Sequence, residues 1–195
     1  GMILSESELV RWGERIGREV AVPVFIALRG PLGAGKSVLA RAVARGAGVV
    51  ATMPSPTFNL VFTYHTERGA STGATDLSGE TSARDPSSGE DQVGAGGADA
   101  ATSTAVAVVH ADLYRIQDPS ELWELGWEEL GAGPELILVE WPERAGPLLP
   151  DDRWEVGIVP TAPGSGFREV SVERVGNPPH LPGFPVSVDQ EEGPR

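Results

Sequence analysis

Cysteine is absent from the 195 residues. That excludes a disulfide framework, a zinc-thiolate site and a thiol nucleophile. Long apolar runs are missing too, none approaching the ~18 residues that a membrane helix requires. The first such run, VPVFIAL (22–28), is short, follows a polar helix-like segment and leads into a glycine loop. No secretory leader is expected from it, and a cytoplasmic location is. Positive charge is scarce, with 15 Lys and Arg against 28 Asp and Glu and a net charge of -13. Direct binding to DNA is not expected, because phosphate contacts need clustered basic residues. Lysine is scarcest of all: Lys36 is the only one, and every other strong base is an arginine.

The chain has the length of one ordinary domain with its own core. Ser5 followed by Glu8 makes a capping box, Leu4 and Leu9 a hydrophobic staple, and Leu9, Trp12, Ile16 and Val20 an apolar helical stripe. VFIALR (24–29) reads as a buried strand, and SVLARAVARGAG (37–48) as a helix stopped by Gly46 and Gly48. Two prolines precede a strand over 59–65. Residues 66–104 hold one Leu, one Val and no aromatic residue, and are expected to form a disordered low-complexity insertion.

AVAVVHADLYRI restarts as a buried strand. DPSELWELGWEEL reads as a helix, with Asp118 as N-cap, Pro119 at N1 and Glu121 at N3. ELILVEW is another strand, and RWEVGIVP with FREVSVERV a hairpin. The pattern predicts an α/β fold: a P-loop NTPase-like sheet with flanking helices and a C-terminal β-hairpin. Its expected extent is 2–175, with 176–195 as a flexible tail.

Gly30-Pro31-Leu32-Gly33-Ala34-Gly35-Lys36-Ser37 fits G-x-x-x-x-G-K-[ST], the Walker A pattern, between an apolar strand and a helix. Gly30, Leu32, Gly33, Ala34, Gly35, Lys36, Ser37 and Val38 are the candidate nucleotide-binding residues. Backbone N–H groups of such a loop curl around phosphate, helped by the positive end of the helix dipole. The pattern explains the lone lysine: a compact charge on a flexible stem reaches between phosphates where a planar guanidinium does not fit. Its side chain is expected at a solvent-filled edge. Ser37 can place its hydroxyl on Mg²⁺.

Such a loop needs a carboxylate on a neighbouring strand, to hold Mg²⁺ or orient water. Asp112 and Glu140 close two apolar runs and are the candidates for metal and catalysis, beside Lys36. Thr57 is either a hydroxyl that senses the γ-phosphate or part of a proline-built turn. Arg115 reads as a phosphate or partner contact or a surface ion pair. His110 reads as strand packing, and Trp141 as core or a stacking platform. A P-loop ATPase and a small-molecule kinase remain open. A GTPase would lack N-K-x-D, since the chain has no second lysine.

GPLGAGKS, SPTF, HADLYR, ELGWEE and LVEWPE, in this order, resemble the bacterial tRNA threonylcarbamoyladenosine biosynthesis ATPase family TsaE, also called YjeE. The likeness spans 5–175 apart from 66–105. It implies a small ATPase, using ATP and Mg²⁺, that works with TsaD- and TsaB-like proteins and meets tRNA only through that complex. It also implies phosphate and metal roles for Lys36 and Ser37, metal and water roles for Asp112 and Glu140, and a switch role for Thr57. Pro31 stands where the family usually has Asp, and Ser37-Val38 where two threonines are usual.

Overall fold

The computed structural model describes residues 1–51, 53, 60–67, 70–75 and 105–184. Eight strands form one mixed sheet. They are β1 (Met2–Ser5), β2 (Val24–Arg29), β3 (Val61–Glu67), β4 (Ala70–Thr75), β5 (Ala105–Asp112), β6 (Glu135–Glu140), β7 (Arg153–Pro160) and β8 (Phe167–Val175). Their order is β1-β8-β7-β2-β6-β5-β3-β4. β7, β2, β6 and β5 run parallel at the centre, and antiparallel pairs flank them on both sides. The expected α/β architecture with its C-terminal hairpin, β7–β8, is the one observed.

Helices α1 (Glu6–Glu19) and α2 (Lys36–Gly46) cover one face of the sheet. Ser5 and Glu8 close the expected capping box: the Ser5 N–H donates to the Glu8 carboxylate at 2.8 Å, and the Glu8 N–H to Ser5 Oγ at 3.3 Å. Leu4, Leu9, Trp12, Ile16 and Val20 are all buried, so staple and stripe both face the core. The two helices touch along glycines. A Cβ on Gly13 would come within 2.7 Å of the Ala42 Cβ, and one on Gly17 would collide with the Val43 carbonyl. They run side by side in the same direction, and both N-termini lie at the edge of the sheet that carries the glycine loop.

The opposite face is covered differently from expectation. The helix expected over DPSELWELGWEEL is two 3-10 segments, Pro119–Leu125 and Trp127–Glu129. Asp118 and Glu121 do form the N-terminal cap, but Gly126 turns left-handed at φ 68° and stops the helix after two turns. Leu122 and Trp127 still bury against Phe25, Val109, Ile137 and Val139.

Three other expectations are corrected. β1 was not expected; it is a four-residue edge strand paired with β8. The insertion expected from residue 66 starts later, because Thr66 and Glu67 finish β3 and Ala70–Thr75 forms β4. The Thr66 hydroxyl is buried between the carbonyls of Ala47 and Val106, at 3.2 and 3.0 Å. Residues 76–104 lie outside the described residues. The tail expected from 176 is docked as far as Phe184. Trp154 Nε1 donates to the Pro179 carbonyl at 2.8 Å, and Trp12 Nε1 to the Pro182 carbonyl at 2.9 Å. Leu181 is buried, and Phe184 packs on the Trp12 ring at 4.8 Å between centroids.

Candidate nucleotide site

The glycine loop joins the end of β2 to the start of α2. Gly30, Gly33 and Gly35 adopt φ of 140°, 76° and 109°, a region that side-chain-bearing residues avoid. Gly30 has a second reason to be glycine: a Cβ there would collide with the Ile158 carbonyl of β7. The loop therefore lies tight against the neighbouring strand with its backbone exposed to the opening above.

Lys36 is the first residue of α2 and is buried, not set at an open edge as expected. Its ammonium donates to the carbonyls of Gly30 at 2.8 Å and Pro31 at 2.9 Å, and lies 3.9 Å from the centre of the Trp141 ring. Loss of hydration lowers its pKa, while the charges of Glu140 and Asp112 act the other way. Trp141 reaches this position through a left-handed backbone, φ 58°, the single non-glycine case among the described residues. Its N–H donates to the Leu28 carbonyl at 3.3 Å, and Tyr114 packs on its ring at 5.0 Å. Such a backbone costs on the order of 1 kcal/mol in an L-residue and persists because both ends are held.

Asp112 and Glu140 are the last residues of adjacent parallel strands, paired in register. The Leu113 N–H donates to the Glu140 carbonyl at 3.0 Å and ties the two ends together. Glu140 is buried. Its Oε2 accepts the Ser37 hydroxyl at 3.0 Å, and its Oε1 is 3.0 Å from His110 Nε2. Asp112 is more open and accepts the Tyr114 N–H at 3.0 Å. Burial, with a smaller push from Glu140, raises the Asp112 pKa above the usual carboxylate value. Two acids side by side hold an excess of negative potential that a cation would relieve.

These groups line one cavity of about 280 Å³, formed by residues 32–38 with Arg41, Asp112, Tyr114, Glu140 and Trp141. Leu32, Gly33, Ala34, Gly35, Lys36, Ser37, Val38, Asp112 and Glu140 are thus brought together, and the Gly30 carbonyl faces Lys36. Thr57 lies outside the described residues. Arg115 is exposed and does not line the cavity. Reading the sequence missed Arg41, Tyr114 and His110, and of the two readings weighed for Trp141 the structure places its ring at the cavity. His110 carried a usable signal: it is two residues from Asp112, so it shares that strand face, and Glu140 follows in register on the next strand.

The donor set suits Mg²⁺. Ser37 gives its hydroxyl hydrogen to Glu140, which leaves its lone pairs free for a cation. Among the described residues no group of three or more His, Asp or Glu forms an all-protein cage. Mg²⁺ does not require one, being held by one or two protein oxygens together with substrate phosphates.

The model of the family described as "Threonylcarbamoyl adenosine biosynthesis protein TsaE" matches residues 3–77 and 99–165. The tRNA threonylcarbamoyladenosine biosynthesis protein TsaE of Treponema pallidum is 24% identical over 168 residues, covering 86% of this chain and 95% of that protein. The protein of the same name from Bacillus subtilis is 27% identical over 152 residues, covering 78% and 70%. The crystal structure of Bacillus subtilis YdiB superposes with a TM-score of 0.56 at 20% identity, over 90% of this chain and 89% of that one. With the family model matching most of its length, this chain belongs to the TsaE family of threonylcarbamoyl adenosine biosynthesis proteins.

Proposed function

We propose that this chain is an ATPase subunit of the machinery that places a threonylcarbamoyl group on tRNA adenosine. Its partners are TsaD- and TsaB-like proteins, and it meets tRNA only through them. The observation that carries the reading is the convergence of Lys36, Ser37, Asp112 and Glu140 on one cavity at the carboxyl edge of the parallel strands. Open α/β sheets place their ligands at that edge. The names of the Treponema and Bacillus relatives support the process.

Backbone N–H groups of the loop and the start of α2 hold the phosphates of ATP. Lys36 supplies the charge between the β- and γ-phosphates. Ser37 and the two carboxylates would hold Mg²⁺, which would neutralise charge on the phosphate oxygens. Water attacks the γ-phosphorus as its bond to the β–γ bridging oxygen breaks. ADP leaves with that electron pair, and the proton of the water passes to a carboxylate and on to solvent. No described helix is long and apolar enough to cross a membrane.

The test is ATP hydrolysis by the chain alone, then with TsaD, TsaB and tRNA. Weak turnover alone and stimulation by the partners are expected, since charge stabilisers such as arginines are often supplied in trans. Full turnover without partners would favour a small-molecule kinase on the same fold. Glu140→Gln should keep ATP binding and slow hydrolysis by ~10² or more. An unchanged rate removes Glu140 from the chemistry.

A further inference from the structure

His110 sits where the proposed mechanism has no use for it. It is buried in β5, which lies between β3 and β6 in the sheet. Its Nε2 lies 3.0 Å from Glu140 Oε1, and its Nδ1 is buried with no partner. A carboxylate only accepts, so Nε2 carries the hydrogen. The 3.0 Å contact therefore requires an N–H at Nε2.

We propose that His110 is a positioning residue that acts through Glu140. The inference rests on the ATP–Mg²⁺ reading of the cavity. Glu140 has three rotatable side-chain bonds and ends its strand beside the turned backbone of Trp141. The Nε2–H fixes one carboxylate oxygen. That aims the other at the Ser37 hydroxyl and leaves the serine lone pairs facing the phosphates. His110, Glu140 and Ser37 form one chain of hydrogen bonds from the sheet interior to the cation site. Partners that orient a metal's ligands typically contribute 10–100-fold in metal affinity or activity.

A packing role and a positioning role predict opposite rankings of two variants. His110→Leu fills the volume but cannot donate. His110→Gln places an amide N–H near the position of Nε2. Positioning predicts that His110→Leu raises the Mg²⁺ concentration for half-maximal ATP hydrolysis at least 10-fold, while His110→Gln stays within a few-fold of wild type. Nucleotide binding in EDTA should be unchanged in both. If His110→Leu keeps the wild-type Mg²⁺ dependence, or the glutamine variant fares worse than the leucine one, the proposal is overturned.

A second measurement needs neither activity nor a variant that folds. Long-range ¹H–¹⁵N NMR of the nucleotide-free wild-type chain should report the Nε2–H tautomer for His110. An Nδ1–H tautomer overturns the proposal. If wild type shows no Mg²⁺-dependent hydrolysis, alone or with the partners, the ATPase reading fails by itself. The tautomer still decides the contact between His110 and Glu140.

Discussion

Lys36 meets its surroundings as a group already bound. Two carbonyls and an indole face take the places that phosphate oxygens would compete for. The sequence singled out the residue but not this enclosure, because Trp141 is far away in the chain and reaches Lys36 through a turned backbone that composition does not announce. Lys36→Arg keeps the charge, yet a guanidinium is wider than the slot between the loop and the indole. ATP turnover should fall by ~10². Overpacking should also lower stability by about 1–3 kcal/mol, which an open edge would not produce. Thermal unfolding and turnover on one preparation test both effects; wild-type turnover would make the lone lysine an accident of composition.

Glu155 illustrates a residue outside the cavity with a job in the sheet. It binds Arg29 of the parent strand of the loop and Arg153 of its own strand. Those contacts, Arg29 first, hold its pKa below the usual carboxylate value. A depressed folded-state pKa stabilises the fold above the unfolded value and is lost as pH falls through the folded one. Glu155→Gln should therefore cost about 1 kcal/mol at pH 7, partial solvent screening of its half-buried arginine partners keeping the figure small. The gap to wild type should close below about pH 4. Denaturant titrations at both pH values check this, and a gap that persists in acid would point to packing instead of charge.

At the scale of elements, the α1–α2 contact sets where the glycine loop ends, since α2 begins at Lys36. The apolar stripe of α1 was legible by period. The closeness of the helices was not, because Gly46 read as a helix stop and Gly13 and Gly17 are by themselves weak helix positions, and only pairing explains them. Gly17→Ala would improve helix propensity and still should destabilise by about 3 kcal/mol, because its Cβ has the Val43 carbonyl in its place. Wild-type stability in a urea titration would mean that the helices part at no cost. The central strands were legible as continuous apolar runs, as buried parallel strands are. β1 was not, being four residues with one buried leucine. The segment after Asp118 carried a true cap, but its length was set by Gly126 and by where Leu122 and Trp127 found the sheet.

For the whole molecule, the segments of poorest composition gave the least reliable reading. Prolines and acids after Gly176 suggested a loose tail, yet Leu181, Phe184 and two indole N–H groups hold it as far as 184. Those tertiary contacts leave no periodic trace in a stretch this short. The region after Thr66 has a register that allows a sharp test. β3 and β5 are adjacent and antiparallel, with Glu67 opposite Ala105, so a two-residue turn could join them. Replacing residues 68–104 by Asn-Gly removes β4, which pairs only with β3 at the end of the sheet. It keeps Thr66 between its two carbonyls. Asp112 lies at the far end of β5, so the cavity should not feel the change. Closing a shorter loop gains about 2 kcal/mol of chain entropy, on the order of what a weak edge strand contributes. The shortened chain should then unfold within a few degrees of wild type and bind ATP with unchanged affinity. Scanning calorimetry and a nucleotide titration decide it: a lost transition or lost binding would make β4 or residues 76–104 a necessary part of the fold.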